Sequence, residues 1–390
     1  MAVKQLLGMF LIFALNIWIS AAAEEASTDS DAPPYTFVKG QPGKASQIND
    51  NFKGIYQRVG ELERKLSDFE RRLTPIQVDI DCDEKEDDNK AIQAALDLAT
   101  AKGSVVNLTG ICREVAVVIK NDGITVAGKA GGGTRLIGKP SSVSNLDGPT
   151  SAVVLIAGAE DAKLMNLTFE EAPYGLYIDN NSTAEVLDSK AINNEKRGFF
   201  SYYNTFLQCV NCEAVNNDDG FLIVGRGQFC GQIAAHQNKG RGIQVTNQGH
   251  LSTFGTICQS RGYEETALTL TENNVGLYVS DNGHFAGFAG PITIRDSKTH
   301  AIQVTRNSSF ALRGLNVFVP TDRQDEHSVS VGWSSHGMIL NGGAEMESLQ
   351  GVINAGINSS IYVGAIYPTA PELGCYLNST VLAGEDSCVE

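Results

Sequence analysis

The residues best equipped for chemistry fall in one row. Arg197, Asp219 and Arg241 each stand immediately before a glycine, as does Tyr174. Those glycines, Gly175, Gly198, Gly220 and Gly242, are 23, 22 and 22 residues apart. If each interval is one coil of a parallel stack, neighbours in the row lie about 4.8 Å apart. Asp218 and Asp219, in the phrase NNDDG, are the acid candidates. A carboxyl can serve as general acid, general base or nucleophile on a glycosidic bond. Arg197 and Arg241 on either side can hold a sugar carboxylate. They can equally form an ion-pair ladder with Asp219 that neutralises its own charge. An Asp-Asp-Gly turn also arises without any function, since Asp favours turns and Gly supplies positive φ.

A second group is aromatic. Tyr177, Phe200, Tyr202, Tyr203 and Phe206 cluster over two repeats. Outward rings of this kind bind sugar rings or partners, or pack under loops or against another protomer. His250 and His284 occupy matching places in NQGHLSTFG and DNGHFAGFAG. Such a pair could act as base or ligand, or simply follow a turn rule. Cys209-x-x-Cys212 lacks a second close Cys or His pair, so no zinc site is expected. Glu264, Glu265, Asp322, Asp325, Glu326 and His327 match no dedicated calcium loop. No metal and no cofactor is expected.

These residues need a scaffold that repeats. After each glycine comes an apolar phrase (LYID, FFSY, FLIV, IQVT), then a polar turn, then a second short apolar phrase. The phrases have the period of a strand, and one coil cannot bury its own apolar face without neighbours. The expected fold is all-β, a right-handed parallel β-helix of about ten coils, with the hand set by the chirality of parallel crossovers. Its range is 78–390, with an N-terminal cap over 78–110 and a C-terminal cap over 366–390. The helix KAIQAALDLATAKG closes the first coil, with Asp87, Asp88 and Asn89 available as caps. Two coils are long, and GYEETALTLTENN and VPTDRQDEHS are the expected insertions. Asn180, Asn181, Asn204, Asn282 and Asn307 are expected to form hydrogen-bonded turn ladders.

Upstream, residues 1–23 read as a signal peptide: Lys4, an apolar run, then Ala21, Ala22 and Ala23. Residues 24–44 form a polar linker. Over 45–75, Ile48, Ile55, Leu62 and Phe69 alternate with Phe52, Val59, Leu66 and Leu73 in a complete heptad pattern. That pattern predicts a coiled-coil stalk and a homo-oligomer, with three strands favoured. The mature chain is expected in the periplasm, at the cell surface or secreted, with no membrane span after cleavage. A net charge of −15 argues against a nucleic-acid partner. Eight cysteines fit an oxidising compartment. Cys375 and Cys388 are expected to pair, and Cys82 and Cys112 can pair across the helix. Cys209, Cys212, Cys230 and Cys258 lie on neighbouring coils, as staples or buried thiols.

Two resemblances sharpen this. Phe37 to Gly40, Lys44-Ala45-Ser46, Asn49, Asn51-Phe52 and Leu62-Glu63 resemble a leader found in many exported bacterial proteins, which implies a bacterial exported oligomer. Asp88-Asn89, Ala91-Ile92-Gln93, Ala95-Leu96-Asp97, Gly103, Val105-Val106 and the Gly123-Ile124-Thr125-Val126 phrase ending at Gly128 resemble the start of the pectate-lyase-like β-helix superfamily. That superfamily implies the fold and spans lyases, hydrolases, epimerases and phage tailspikes. Of the polygalacturonase pattern only Asp218-Asp219 is present, and Lys239-Gly240-Arg241-Gly242 stands where Gly-His-Gly would. The Asp-His motifs of pectate lyases and the Asp-Pro-His-Glu motif of alginate epimerases are absent. The expectation is a secreted carbohydrate-binding or adhesive surface protein contacting a polysaccharide or cell-surface glycan. The alternative is a polysaccharide-processing hydrolase, lyase or epimerase.

Overall fold

A computed structural model describes residues 45–83, 88–139, 151–253, 258–259, 262, 265–288, 290–318, 327–340, 352–363, 372–375, 379–383 and 386–389. The chain divides into two compact units between Arg71 and Arg72. The signal peptide and linker expected over 1–44 lie outside the described residues.

In the first unit, Ala45–Leu73 is a 29-residue α-helix. Its heptad residues Phe52, Ile55, Val59, Leu62 and Leu66 share one stripe and are exposed. Glu61 and Lys65 form an i,i+4 ion pair at 3.0 Å, of the kind that supports a solvated helix face.

The second unit is a parallel β-solenoid of about ten coils. Eleven parallel strands, from Val117–Ile119 to Glu372–Cys375, stack in coil order as one face. A 21-stranded sheet wraps the rest of each coil. The register is strict: Leu176 sits beside Phe199, then Phe221, Ile243, Leu277 and Ile302. Those side chains point inward and join one continuous core running from Cys82 to Val381. Phe199 and Phe221 stack within it, centroids 4.9 Å apart, because identical residues in register meet face to face at the strand spacing.

The helix Asp88–Leu98 buries Ile92, Ala95 and Leu96 against the first strands. The Asn89 carboxamide oxygen accepts the Ala116 N–H at 2.9 Å, and Gln93 exchanges bonds with the Val118 backbone. At the far end, Thr380–Ala383 and Asp386–Val389 run antiparallel, which ends the parallel stacking.

The repeated glycine has a steric cause. A Cβ on Gly198 would come within 2.7 Å of the Gly220 carbonyl, and one on Gly220 within 2.5 Å of the Gly242 carbonyl. The same Cβ atoms would reach 3.0 Å from the side-chain amides of Asn217 and Asn238. Those amides belong to a buried ladder. The Asn194 amide donates to the Asn217 oxygen, Asn217 to Asn238, and Asn238 to Asn273. Each oxygen also accepts the preceding ladder residue's backbone N–H. This row differs from the asparagines expected to form ladders. Asn180, Asn181, Asn204, Asn282 and Asn307 instead hold positive φ at turns, a conformation Asn tolerates.

Three further points correct or complete the expectations. GYEETALTLTENN is not an insertion throughout, because Thr266–Thr271 is a regular strand paired with its neighbours on both sides. The extra length falls between Ser252 and Thr266, where a short stretch pins Cys258 to Cys230 by a disulfide. The second long coil, 319–326, lies outside the described residues. Cys82 and Cys112 form a disulfide, while Cys209 and Cys212 are buried thiols. The expected pairing of Cys375 with Cys388 involves side chains outside those described.

Candidate functional site

The row before the glycines is real and lies at the edge of the eleven-stranded face. Tyr174, Arg197 and Asp219 are direct cross-strand neighbours. Arg241 follows, its backbone N–H donating to Asp219 Oδ1 at 3.0 Å. Asp219 is only 4% exposed. Its own N–H donates to the Lys196 carbonyl at 2.8 Å, which fixes the start of its strand. Gly240 packs so close that a Cβ there would stand 2.7 Å from Asp219 Oδ1. A side chain at 240 would displace the carboxylate, so the glycine is part of the site.

The three charges of this row are not an even ladder. Arg241 approaches Asp219 Oδ1 at 3.6 Å, while its guanidinium also lies 4.9 Å over the Tyr278 ring. Arg197 is held by rings, 4.5 Å over Phe200 and 5.7 Å over Tyr174. Both cations are therefore oriented by cation–π contacts, and both remain half-buried. Burial pushes the Asp219 carboxyl above the usual carboxylate range. The Arg241 N–H and the charges of Arg241 and Arg197 oppose that rise, and Asp218 adds to it. Asp218 is exposed, and its carbonyl accepts the Gly240 N–H at 2.7 Å. It forms the turn before the strand. The two aspartates thus occupy opposite environments despite being adjacent.

The five aromatic candidates separate. Tyr177 and Phe200 are neighbours on the outer face, ring centroids 4.6 Å apart. They are not an open platform: they are 6% and 3% exposed, in a closed cluster with Leu155, Tyr174, Leu222 and Val224. Large rings one strand apart cover each other's faces, and burial pushes the Tyr177 phenol upward. Tyr202 is half-buried beside Tyr177 and Phe200. Tyr203 reaches out at the turn, 47% exposed. Phe206 belongs to the other sheet, between Thr183 and Arg226. Tyr278 carries Arg241 but was not among the candidates. Its place three residues after Val275, the next member of the row, is the signal that would have found it.

His250 and His284 are a stacked pair rather than turn residues. They face each other in register on the 21-stranded sheet, centroids 4.9 Å apart. His284 Nδ1 meets Ser309 Oγ at 2.6 Å. Burial lowers the proton affinity of both rings, and His284 and Arg226 lower that of His250 further. Among the described residues no cluster of three metal-ligating side chains occurs. Burial also pushes the Cys212 thiol up, which suits an inert core thiol.

The architecture is that of a right-handed parallel β-helix. Residues 110–256 match the family described as "Right handed beta helix region". Among solved structures, the chain is similar to an alginate lyase from Paenibacillus sp. str. FPU-7, at 13% identity and TM-score 0.43, covering 79% of this chain and 99% of that one. It is also similar to the A-module of a mannuronan C-5 epimerase from Azotobacter vinelandii, at 14% identity and TM-score 0.46, covering 76% and 96%. No curated protein matches the sequence.

Proposed function

We propose that the protein processes an acidic polysaccharide along the eleven-stranded face, using the Arg197–Asp219–Arg241 row. The observation that carries this reading is Asp219 itself. Its carboxyl is buried and binds its proton more tightly than usual, yet it sits between two half-buried guanidinium groups. A structural ion pair in that setting would normally hold the carboxylate charged. A carboxyl tuned upward beside cations is instead suited to proton transfer on a substrate that brings its own negative charge. Arg197 and Arg241 would take the uronate carboxylate, with cation–π contacts orienting both guanidinium groups while Arg241 also pairs with Asp219 at 3.6 Å. A long, repetitive face suits an extended polymer.

A surface that only binds the polymer is the second reading. It is favoured by Tyr203, whose exposed ring can lie against a sugar without any chemistry. Incubating the full chain with uronic and neutral polysaccharides separates the two. Ultraviolet absorbance reads unsaturated products, reducing ends read hydrolysis, and proton NMR reads inversion at C5. Turnover on a uronic polymer is expected, falling on the order of 100-fold or more in Asp219→Asn. Binding across the panel without turnover overturns the enzyme reading.

Two disulfides support an exported chain. The exposed heptad stripe from Phe52 to Leu66 supports self-association, with trimers as the expected state. Sedimentation of the whole chain against a variant with Leu62 and Leu66 replaced by Glu tests it. Equal mass for both would remove the stalk from the reading.

A further inference from the structure

The last rungs of the eleven-stranded face carry a different chemistry. Gln303, Ser330 and Asn354 lie side by side on consecutive strands. Beside them is a cleft of about 230 Å³ lined by Thr305, Trp333 and Ile357 as well, with no charged side chain among its lining residues. The Asn354 carboxamide oxygen is buried and finds no hydrogen-bond partner among the described residues. A buried acceptor without a donor is costly, and a hydroxyl entering the cleft would satisfy it.

Trp333 is the second, independent observation. The turn at this corner repeats from coil to coil: the carbonyls of Asp281, Arg306, Trp333 and Ile357 accept the backbone N–H groups of Gln248, Asn282, Asn307 and Ser334 in the coil before. Asn247, Asp281, Arg306 and Trp333 all hold positive φ there, between 52° and 58°. Asn and Asp tolerate that conformation because a short polar side chain can bond locally. A tryptophan ring gains nothing from it, and a bulky residue at positive φ is an outlier that points to use. The ring is 64% exposed and forms one wall of the cleft.

We propose that this cleft is a binding subsite for an uncharged sugar ring. Trp333 offers an apolar face and one N–H donor, and Gln303, Ser330 and Asn354 offer neutral donors and acceptors at fixed spacing. That combination of an apolar wall with a few convergent polar groups fits a pyranose ring carrying hydroxyls and no carboxylate. Gln303, Ser330 and Asn354 stand three, four and five rungs from Asp219, counted through Phe221, Ile243, Leu277, Ile302, Val329 and Ile353. At about 4.8 Å per rung this is roughly 14 to 24 Å. One polymer lying along the face would span both places, so the link between them rests on the polysaccharide reading, while binding at the cleft does not.

The chain has two tryptophans, Trp18 and Trp333, so emission lost in a Trp333 variant reports the cleft. The full chain is titrated with neutral gluco-, manno- and galacto-oligosaccharides and with oligouronates, by fluorescence and by calorimetry. At least one neutral oligosaccharide is expected to change the Trp333 emission saturably, while oligouronates, which the arginine row would take, leave that emission unchanged. Trp333→Asn installs a residue type that this turn accepts in an earlier coil, so it should fold at least as well as the wild type and lose binding. Asn354→Leu should weaken binding about tenfold or more, as expected for a buried polar contact. Absence of any neutral ligand, an equal change of Trp333 emission with oligouronates, or undiminished calorimetric binding of the neutral ligand by Trp333→Asn would each overturn the assignment. Asp219→Asn should leave the titration unchanged. If no polymer is turned over while the titration holds, the catalytic reading fails and the subsite stands.

Discussion

Asp219 and Gly220 are consecutive in the chain and belong to opposite kinds of row. Gly175, Gly198, Gly220 and Gly242 repeat one residue type, because each must admit the carbonyl of the next coil. Tyr174, Arg197, Asp219 and Arg241 share no common residue type, and the row changes residue type at every rung. Both rows run through the same coils at the same spacing. The difference lies in what each side chain meets. The glycines and the asparagine ladder meet backbone that is identical in every coil, so one solution serves all. The outer row meets rings, charges and solvent that differ from coil to coil. In a solenoid, uniformity marks the scaffold and irregularity marks the places where something else can bind.

The contrast breaks most severely if a glycine is replaced. Gly220→Val should cost at least about 3 kcal/mol, the upper range for overpacking a filled site, because the Gly242 carbonyl would be 2.5 Å from the new Cβ and cannot retreat without opening the next coil. Urea unfolding followed by circular dichroism measures it. A loss below 1 kcal/mol would mean that the coils can slide, and the uniform row would no longer explain the period.

Next in size is the ladder. Asn217→Ala removes the acceptor of the Asn194 backbone and side-chain N–H groups and the donor to the Ala191 carbonyl. With buried groups left unpaired, about 2–4 kcal/mol is expected. Asn217→Asp keeps the acceptor but sets a fully buried carboxylate against the Ala191 carbonyl and Asn238 Oδ1, so it should cost more than Ala at neutral pH. A smaller loss for Asp than for Ala would mean that the donor half of the ladder contributes nothing.

The fold was legible in the residues because its causes are local and repeated. Phe199, Phe221 and Ile243 announce an inward face, and the glycines before them announce the coil length. The Arg197–Asp219–Arg241 register follows from the same alignment. What the alignment did not carry is how much of each outer side chain its neighbours cover. Tyr177 and Phe200 read as an open platform but close on each other and on Leu222, since adjacent rungs are only one ring thickness apart. Arg197 read as one step of an ion-pair ladder, yet Phe200 and Tyr174 compete for its guanidinium. The ladder asparagines were overlooked for those at turns, because Asn194, Asn217, Asn238 and Asn273 precede their glycines by three or four residues and sit outside the strand phrases. The Trp333 cleft rides on a repeating turn, but the residue types that line it change from coil to coil.

The smallest effects expected are in pH dependence, where the two outer faces should act with opposite sign. His250 and His284 hold their protons less tightly folded than unfolded. The unfolded chain therefore takes up protons first as pH falls through about 6.5, and the pair withdraws stability on acidification. Asp219 holds its proton more tightly when folded. Its contribution runs the other way: from neutral pH downward the folded state gains the proton first, so stability rises through the folded-state titration and levels off below the unfolded value near 3.9. Thermal melts from pH 7.5 to 4 should show His250→Gln removing part of the loss that begins near pH 6.5. In the same series Asp219→Asn should lose its relative advantage, the wild type gaining on the variant as pH falls. A His250→Gln profile parallel to wild type would mean that the stacked rings stay equally protonated in both states. An Asp219→Asn profile parallel to wild type would mean that the carboxyl titrates normally between its arginines, and the proton-transfer role given to it would lose its basis.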